Sequence, residues 1–212
     1  MIATELNPMP VRRQIDLTFA QGVRTLLRQD PDIIMIGEIR DLDTAQMAVQ
    51  ASLTGHLVLS TLHTNDAPSA ITRLLDLGLP HYLIASTLNG ILAQRLVRTL
   101  CPHCKAPRKL SPTAWHALLP GPHPPPLPEG AYGPVGCLEC RNTGFLGRVG
   151  IYELMPVTPL LRALIRPDME LAAFTRAAVG EGLRTLRMAG AEKVAQGLTT
   201  VEEVLTVLPP QE

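Results

Sequence analysis

A short apolar run followed by a glycine and charged residues constrains the fold more than any other feature. It reads Ile33-Ile34-Met35-Ile36-Gly37-Glu38-Ile39-Arg40-Asp41. Apolar residues without polar alternation predict a strand buried on both faces, as in a parallel α/β sheet. Ligands of such sheets bind beyond the carboxyl ends of the strands, where Glu38 falls, and Gly37 allows a close approach of the backbone. A carboxylate there can hold Mg²⁺ or orient a water beside a phosphate. The alternative is an ordinary strand followed by a charged loop.

A second apolar run repeats this arrangement. Residues 57–62 predict another buried strand, and His63-Thr64-Asn65-Asp66 follow it. A helix over 45–53 connects the two runs, and a further helix is expected from Pro68 to Leu77. This strand–helix–strand–helix order favours a mostly parallel sheet in an α/β domain. A lone histidine after a strand is more often a packed or capping residue, so His63 alone does not decide the function.

The remaining elements follow from apolar periodicity. Arg24 and Arg28 share one face of a predicted helix over 16–28, where they can reach phosphates or simply contact solvent. Thr158 and Thr200 are candidate helix caps, and proline-rich residues 121–128 predict a loop. Further helices are predicted over 82–94, 160–165, 170–179, 183–195 and 201–207, and short strands over 95–98 and 151–154.

The cysteines form two C-x-x-C pairs, Cys101 with Cys104 and Cys137 with Cys140. In a reducing compartment this spacing predicts a closed, structural Zn²⁺ site with four thiolates, and disulfide pairing is the alternative. His103 lies inside the first pair, but four thiolates already complete a tetrahedral site. We therefore expect His103 not to be a ligand.

Composition limits the classes of partner. Lys and Arg number 19, as do Asp and Glu, so the 212-residue chain has no overall basic field for nucleic acid. A nucleic-acid-binding zinc ribbon remains a weak alternative because the zinc region is basic but has few aromatics. No apolar run is long enough to span a membrane, and the first residues do not resemble a secretory signal. We expect a cytoplasmic protein of one or two domains.

Several motifs resemble those of the ATPases that drive type II secretion and type IV pilus assembly. The resemblance extends over nearly all of the chain from Asp16 onward. Residues 27–41 resemble the Walker B segment of that family, residues 54–67 its histidine box, residues 93–104 the entry to its zinc subdomain, and residues 147–153 the run after its second cysteine pair.

The resemblance implies the C-terminal portion of a RecA-like P-loop ATPase domain. Residues 1–97 would form part of the ATPase core, 98–148 an inserted tetracysteine zinc subdomain, and 149–212 a mainly helical subdomain. The family works as a homo-hexamer on an inner-membrane platform protein, at the cytoplasmic face, and uses ATP with Mg²⁺. The implied function is pseudopilus assembly in type II secretion, with type IV pilus extension as the alternative; the tetracysteine motif disfavours a retraction motor.

The resemblance also implies roles for individual residues. Glu38 matches the Walker B glutamate, which polarises the attacking water and supports Mg²⁺. His63 matches the histidine that approaches the γ-phosphate. Further candidates for nucleotide contact are Gly37, Thr64, Arg24 and Arg28, and the four cysteines match the zinc ligands.

The sequence departs from the family first in its phosphate-binding loop: it contains no G-x-x-x-x-G-K-[ST] motif. The family's acidic box and N-terminal domain are missing as well. We therefore expect the C-terminal half of a longer ATPase that does not hydrolyse ATP on its own. A non-catalytic, zinc-stapled interaction module is the alternative.

Overall fold

The structure is a computed structural model that describes residue 9, residues 19–120 and residues 125–208. The helices are α1 (Phe19–Leu26), α2 (Leu42–Leu53), α3 (Pro68–Asp76), α4 (His81–Thr87), α5 (Pro112–Leu118), α6 (Pro159–Leu164), α7 (Leu171–Gly180), α8 (Leu186–Ala195) and α9 (Val201–Val207). The strands are β1 (Ile33–Ile36), β2 (Leu57–Ser60), β3 (Gly90–Leu100), β4 (Ala106–Pro107), β5 (Tyr132–Gly133) and β6 (Phe145–Pro156). Residues 16–18 of the first predicted helix and residues 121–124 of the predicted loop lie outside the described residues.

The described chain forms two compact units. The first comprises the residues up to Asn89 together with Pro156–Thr175, and the second comprises Gly90–Met155 together with the residues from Arg176 onward. The predicted division into 1–97, 98–148 and 149–212 stays a prediction.

The first unit contains the predicted parallel pair of strands. β1 and β2 run in parallel, with Ile33 opposite Leu57 and Ile36 opposite Ser60. Helix α2 connects them, and the Asp41 side chain caps its start by accepting a hydrogen bond from the Thr44 N–H at 2.8 Å. Helix α2 is therefore the crossover between two neighbouring parallel strands.

Helices α1 and α2 cover one face of this sheet. Ile34 and Ile36 of β1 are buried against Val23 of α1 and against Ala48 and Ala51 of α2. Small alanine side chains let α2 approach the strands closely. One apolar cluster of this unit therefore forms between the two helices and one side of β1.

The opposite face of the sheet is exposed among the described residues, so the prediction of strands buried on both faces was wrong here. Ile33 and Met35 are 59% and 67% exposed, and Leu57 and Leu59 are 47% and 49% exposed. Successive side chains of a strand point to opposite faces. Because α1 and α2 pack on the Ile34 side, the alternate residues of β1 face away from them.

The predicted helix over 82–94 was also wrong in its second half. Helix α4 ends at Thr87, and residues 90–94 belong to β3. Inward-facing side chains alternate along β3, with Ala93 and Val97 buried and Leu92 and Leu96 exposed. This period of two is typical of a strand, although the spacing of the same apolar residues also fits a helix.

Strand β3 forms a two-stranded sheet with β6 in the second unit. The Thr99 hydroxyl donates to the Leu146 carbonyl, and the Cys101 N–H donates to the Gly144 carbonyl at 2.9 Å. Residue numbers rise along one strand as they fall along the other, so the strands are antiparallel.

Helices α8 and α9 pack against β3. The buried carboxylate of Glu203 on α9 accepts hydrogen bonds from the Arg98 backbone N–H and from its guanidinium Nε and Nη2 at 3.1, 2.9 and 2.6 Å. The predicted caps are confirmed, because the Thr158 and Thr200 side chains accept hydrogen bonds from the N–H groups of Leu161 and Glu203. The Arg98–Glu203 pair ties β3 to α9.

We predict that Glu203→Gln lowers the free energy of unfolding by about 1–2 kcal/mol, because it removes the charge that pairs with Arg98. The effect stays moderate because Arg98 is half-exposed and solvent screens the pair. Hydrogen bonding to Arg98 lowers the pKa of Glu203 below its ordinary 4.5. The folded state therefore binds the proton more weakly, and the stabilisation is full above pH 4.5 and is lost as the pH falls through the lowered pKa.

Urea unfolding of the parent and variant chains at pH 7 and at pH 3 measures this difference. The matched control is Glu202→Gln, because the neighbouring Glu202 is exposed and pairs with Arg108 at 3.4 Å. Equal effects of the two substitutions at pH 7 would contradict the assignment.

Candidate functional site

The carboxyl ends of β1 and β2 bring Glu38 and His63 together. The Ile39 N–H donates to the Thr61 carbonyl at 3.0 Å, and the Thr61 hydroxyl donates to the Gly37 carbonyl at 2.6 Å. These bonds continue the strand pairing past the regular sheet. His63 Nε2 lies 3.3 Å from Glu38 Oε2, although the two residues are 25 positions apart in the chain.

Arg40 completes this group, and sequence reasoning missed it. Its Nη2 lies 2.6 Å from Glu38 Oε1, so the two carboxylate oxygens contact different side chains. The signal that could have found Arg40 is a cation two positions after the glutamate, because residues two apart along a continuing strand point to the same side.

The electrostatics of this group favour an ionised glutamate. The hydrogen bond from the Arg40 guanidinium lowers the pKa of Glu38; burial opposes this effect, and His63 adds a smaller lowering. The Glu38 side chain is 22% exposed, whereas His63 is 86% exposed. A charged carboxylate beside an accessible imidazole can accept a hydrogen bond from water or contact a metal ion.

The other predicted nucleotide residues have different surroundings. The Gly37 carbonyl accepts a hydrogen bond from the Thr61 hydroxyl. The Thr64 hydroxyl donates to the Asp66 carbonyl at 3.1 Å, within the turn that precedes α3. Arg24 and Arg28 are exposed, and neither is among the groups that contact Glu38 in the described part of the chain.

The second unit brings the four cysteines into one cluster. All four Sγ atoms lie within 4.8 Å of one another, and those of Cys101 and Cys137 are 3.8 Å apart. The Cys104–Cys140 and Cys137–Cys140 sulfur distances are 3.9 and 3.8 Å. A tetrahedral Zn²⁺ with bonds of about 2.3 Å requires sulfurs about 3.8 Å apart, so the cluster fits that ion.

The backbone around the cluster stabilises thiolate at one position. Burial raises the pKa of the Cys140 thiol, but the N–H groups of Cys137 and Gly144 donate to its sulfur at 3.3 and 3.2 Å, and the net effect lowers the pKa to about 6. Burial raises the pKa of Cys101 to about 11.

The turn beside the cluster requires a glycine. Gly144 has φ +75°, and a Cβ there would lie 2.4 Å from Cβ of Pro134. Only glycine therefore fits this turn without movement of Pro134.

The structure thus places a glutamate and a histidine at adjacent strand ends of an α/β unit, in a chain that also carries a tetracysteine cluster. The family described as type II/IV secretion system protein matches residues 3–206. The chain belongs to this family, which confirms the resemblance derived from the motifs.

Relatives from both branches of the family are similar to this chain. The type IV pilus assembly ATPase TfpB of Acinetobacter baylyi is 54% identical over 209 residues, covering 99% of this chain and 36% of TfpB. The type II secretion system ATPase E of Vibrio cholerae is 48% identical over 204 residues, covering 96% of this chain and 39% of that protein. The chain therefore spans less than two fifths of the length of these curated relatives.

Solved structures confirm the predicted fold class. The pilus retraction motor PilT with bound ADP matches with a TM-score of 0.61 and 28% identity, over 91% of this chain and 44% of PilT. The ATPase DotB of Legionella pneumophila has the same fold, with a TM-score of 0.61 and 24% identity over 90% of this chain and 42% of DotB. In the described ranges, none of the helices has the length and apolar character needed to cross a membrane.

We predict that the purified, freshly reduced chain binds one Zn²⁺ and that Cys140→Ser abolishes stoichiometric binding, because a closed site needs all four thiolates. Elemental analysis after dialysis measures the metal content. His103→Ala is the matched control, since His103 lies between the first two ligands but outside the sulfur cluster. Absence of metal from the parent chain, or loss of metal from the His103 variant, would contradict this assignment.

Proposed function

We propose that this chain supplies the Walker B and histidine-box part of a secretion motor ATPase, and that Glu38 and His63 act at the γ-phosphate of ATP. The observation that carries this proposal is the 3.3 Å contact between His63 Nε2 and Glu38 Oε2 at the carboxyl ends of two parallel strands. Ligands of open parallel sheets bind at that edge. Membership of the type II/IV secretion system protein family also supports this proposal.

Each residue has a role that its surroundings support. Glu38 stays ionised near neutral pH, since Arg40 lowers its pKa, and it can accept a hydrogen bond from the attacking water and support Mg²⁺. His63 is accessible and can donate to the γ-phosphate. Gly37, Thr64, Arg24 and Arg28 remain candidates for further contacts with the nucleotide. Phosphoryl transfer depends mainly on positioning and on charge stabilisation, which these groups can supply.

The active unit requires more than this chain. The sequence has no G-x-x-x-x-G-K-[ST] motif to hold the β- and γ-phosphates. The exposed apolar face of β1 and β2 is also suited to burial by a further segment of a complete ATPase core. ATP with Mg²⁺ would bind where these parts join. The tetracysteine cluster would hold Zn²⁺ as a structural ion.

The complete motor is proposed to work as a homo-hexamer in the cytoplasm, on an inner-membrane platform protein, and to drive pseudopilus assembly in type II secretion. Type IV pilus extension is the second candidate. It is favoured by the 54% identity to the pilus assembly ATPase TfpB.

The proposal predicts that the 212-residue chain alone shows no Mg²⁺-dependent ATP turnover and that a chimera does. In the chimera, this chain replaces the matching segment of the Vibrio cholerae type II secretion system ATPase E. Glu38→Gln should lower kcat of the chimera by at least about 100-fold with little change in KM, because water orientation acts in the transition state. His63→Ala should lower kcat by about 100-fold.

Glu181→Gln is the matched control, because Glu181 is an exposed carboxylate of the same chain. An active chimera whose turnover survives Glu38→Gln would overturn the proposed role of Glu38. An inactive but folded chimera would contradict the proposal that this chain supplies Glu38 and His63 to the ATP site. Turnover by the chain alone that depends on Glu38 would contradict the proposal that another segment must supply the phosphate-binding loop.

A further inference from the structure

The Glu38 carboxylate is held by two unlike side chains. Arg40 Nη2 contacts Oε1 at 2.6 Å, and His63 Nε2 contacts Oε2 at 3.3 Å. The shorter contact joins two permanent charges at neutral pH, since a guanidinium does not deprotonate in proteins. Charge-assisted hydrogen bonds of this length are the stronger kind. Arg40 is therefore the principal partner of this carboxylate.

The backbone on both sides of Arg40 is fixed. Before it, the Ile39 N–H donates to the Thr61 carbonyl at 3.0 Å, which attaches the segment to the continuation of β2. After it, Asp41 caps α2 through the Thr44 N–H at 2.8 Å. The Arg40 side chain therefore starts from a backbone position fixed by hydrogen bonds on both sides, although the side chain itself is 66% exposed.

We propose that Arg40 is the positioning residue of Glu38: by holding Oε1 it fixes the side-chain rotamer and presents Oε2 on the side of His63. This inference rests on the proposed function, in which that side receives the γ-phosphate. A carboxylate held by one oxygen offers the other in a fixed direction, whereas a free carboxylate offers either oxygen over several rotamers. The role assigned to Arg40 is to act through Glu38.

Side-chain NMR of the whole 212-residue chain tests this role without nucleotide. The three-bond couplings of Glu38 should indicate one dominant rotamer in the parent chain and averaging among rotamers in Arg40→Gln. The pKa of Glu38, followed through its carboxyl ¹³C signal and assigned with Glu38→Gln, should shift upward in Arg40→Gln. Arg40→Lys should restore the low pKa and part of the rotamer order, because it restores a cation.

Arg148→Gln is the matched control, since it removes an exposed arginine of the second unit and should change neither quantity. The amide signals of Ile34 and Val58 report whether the strand pair remains folded. If Arg40→Gln unfolds it, Glu38→Ala gives the decision, because removal of both carboxylate oxygens should abolish the hydrogen-bonded guanidinium N–H signal of Arg40. An unchanged Glu38 rotamer in folded Arg40→Gln, or an unchanged Arg40 signal in Glu38→Ala, overturns the inference.

These outcomes are independent of catalysis. An inactive chimera would contradict the proposed function and leave the NMR result as it is. An active chimera combined with an unchanged Glu38 rotamer in Arg40→Gln would contradict the positioning role alone.

Discussion

The parallel register of β1 and β2 is the constraint on which the proposed catalytic group depends. Ile36 lies opposite Ser60, and two hydrogen bonds from Ile39 and Thr61 extend the pairing beyond the sheet. Slippage by one residue would move every side chain of one strand to the other face. Glu38 would then point away from His63, so the contact between these distant residues is a consequence of strand pairing and not of local sequence.

A different set of interactions holds the second unit. Arg98 and Glu203 join β3 to α9, and the Lys105 ammonium donates to the Gly197 carbonyl at 2.8 Å while lying 4.7 Å from the centre of the Tyr132 ring. Lys105 follows the first cysteine pair directly. The thiol cluster is thus attached to the end of α8, and a metal ion there would stabilise more than its own loops.

The two short strands and the cysteine cluster could be predicted from the sequence because each has a local signal: an apolar run between helix breakers, and a ligand spacing with few alternatives. The end of α4 could not, since the apolar residues of 88–97 fit both periods and only pairing with β6 selects the strand. The exposed side of β1 was missed for a related reason. An apolar run indicates burial of both faces, but it does not say whether the covering segment lies within the same chain. Arg40 was missed because its spacing two positions after the glutamate indicates a contact only if the strand continues through Glu38, which the hydrogen bond of Ile39 with Thr61 shows in the structure.

In the proposed function, the carboxyl ends of β1 and β2 form one side of an ATP site. The most direct measurement is a structure of the chimera with Mg²⁺ and a non-hydrolysable ATP analogue. We expect the γ-phosphate to lie within hydrogen-bond distance of His63 Nε2, and Mg²⁺ or its bound water to lie within reach of Glu38 Oε2. A nucleotide bound elsewhere, with Glu38 and His63 facing only solvent, would contradict it.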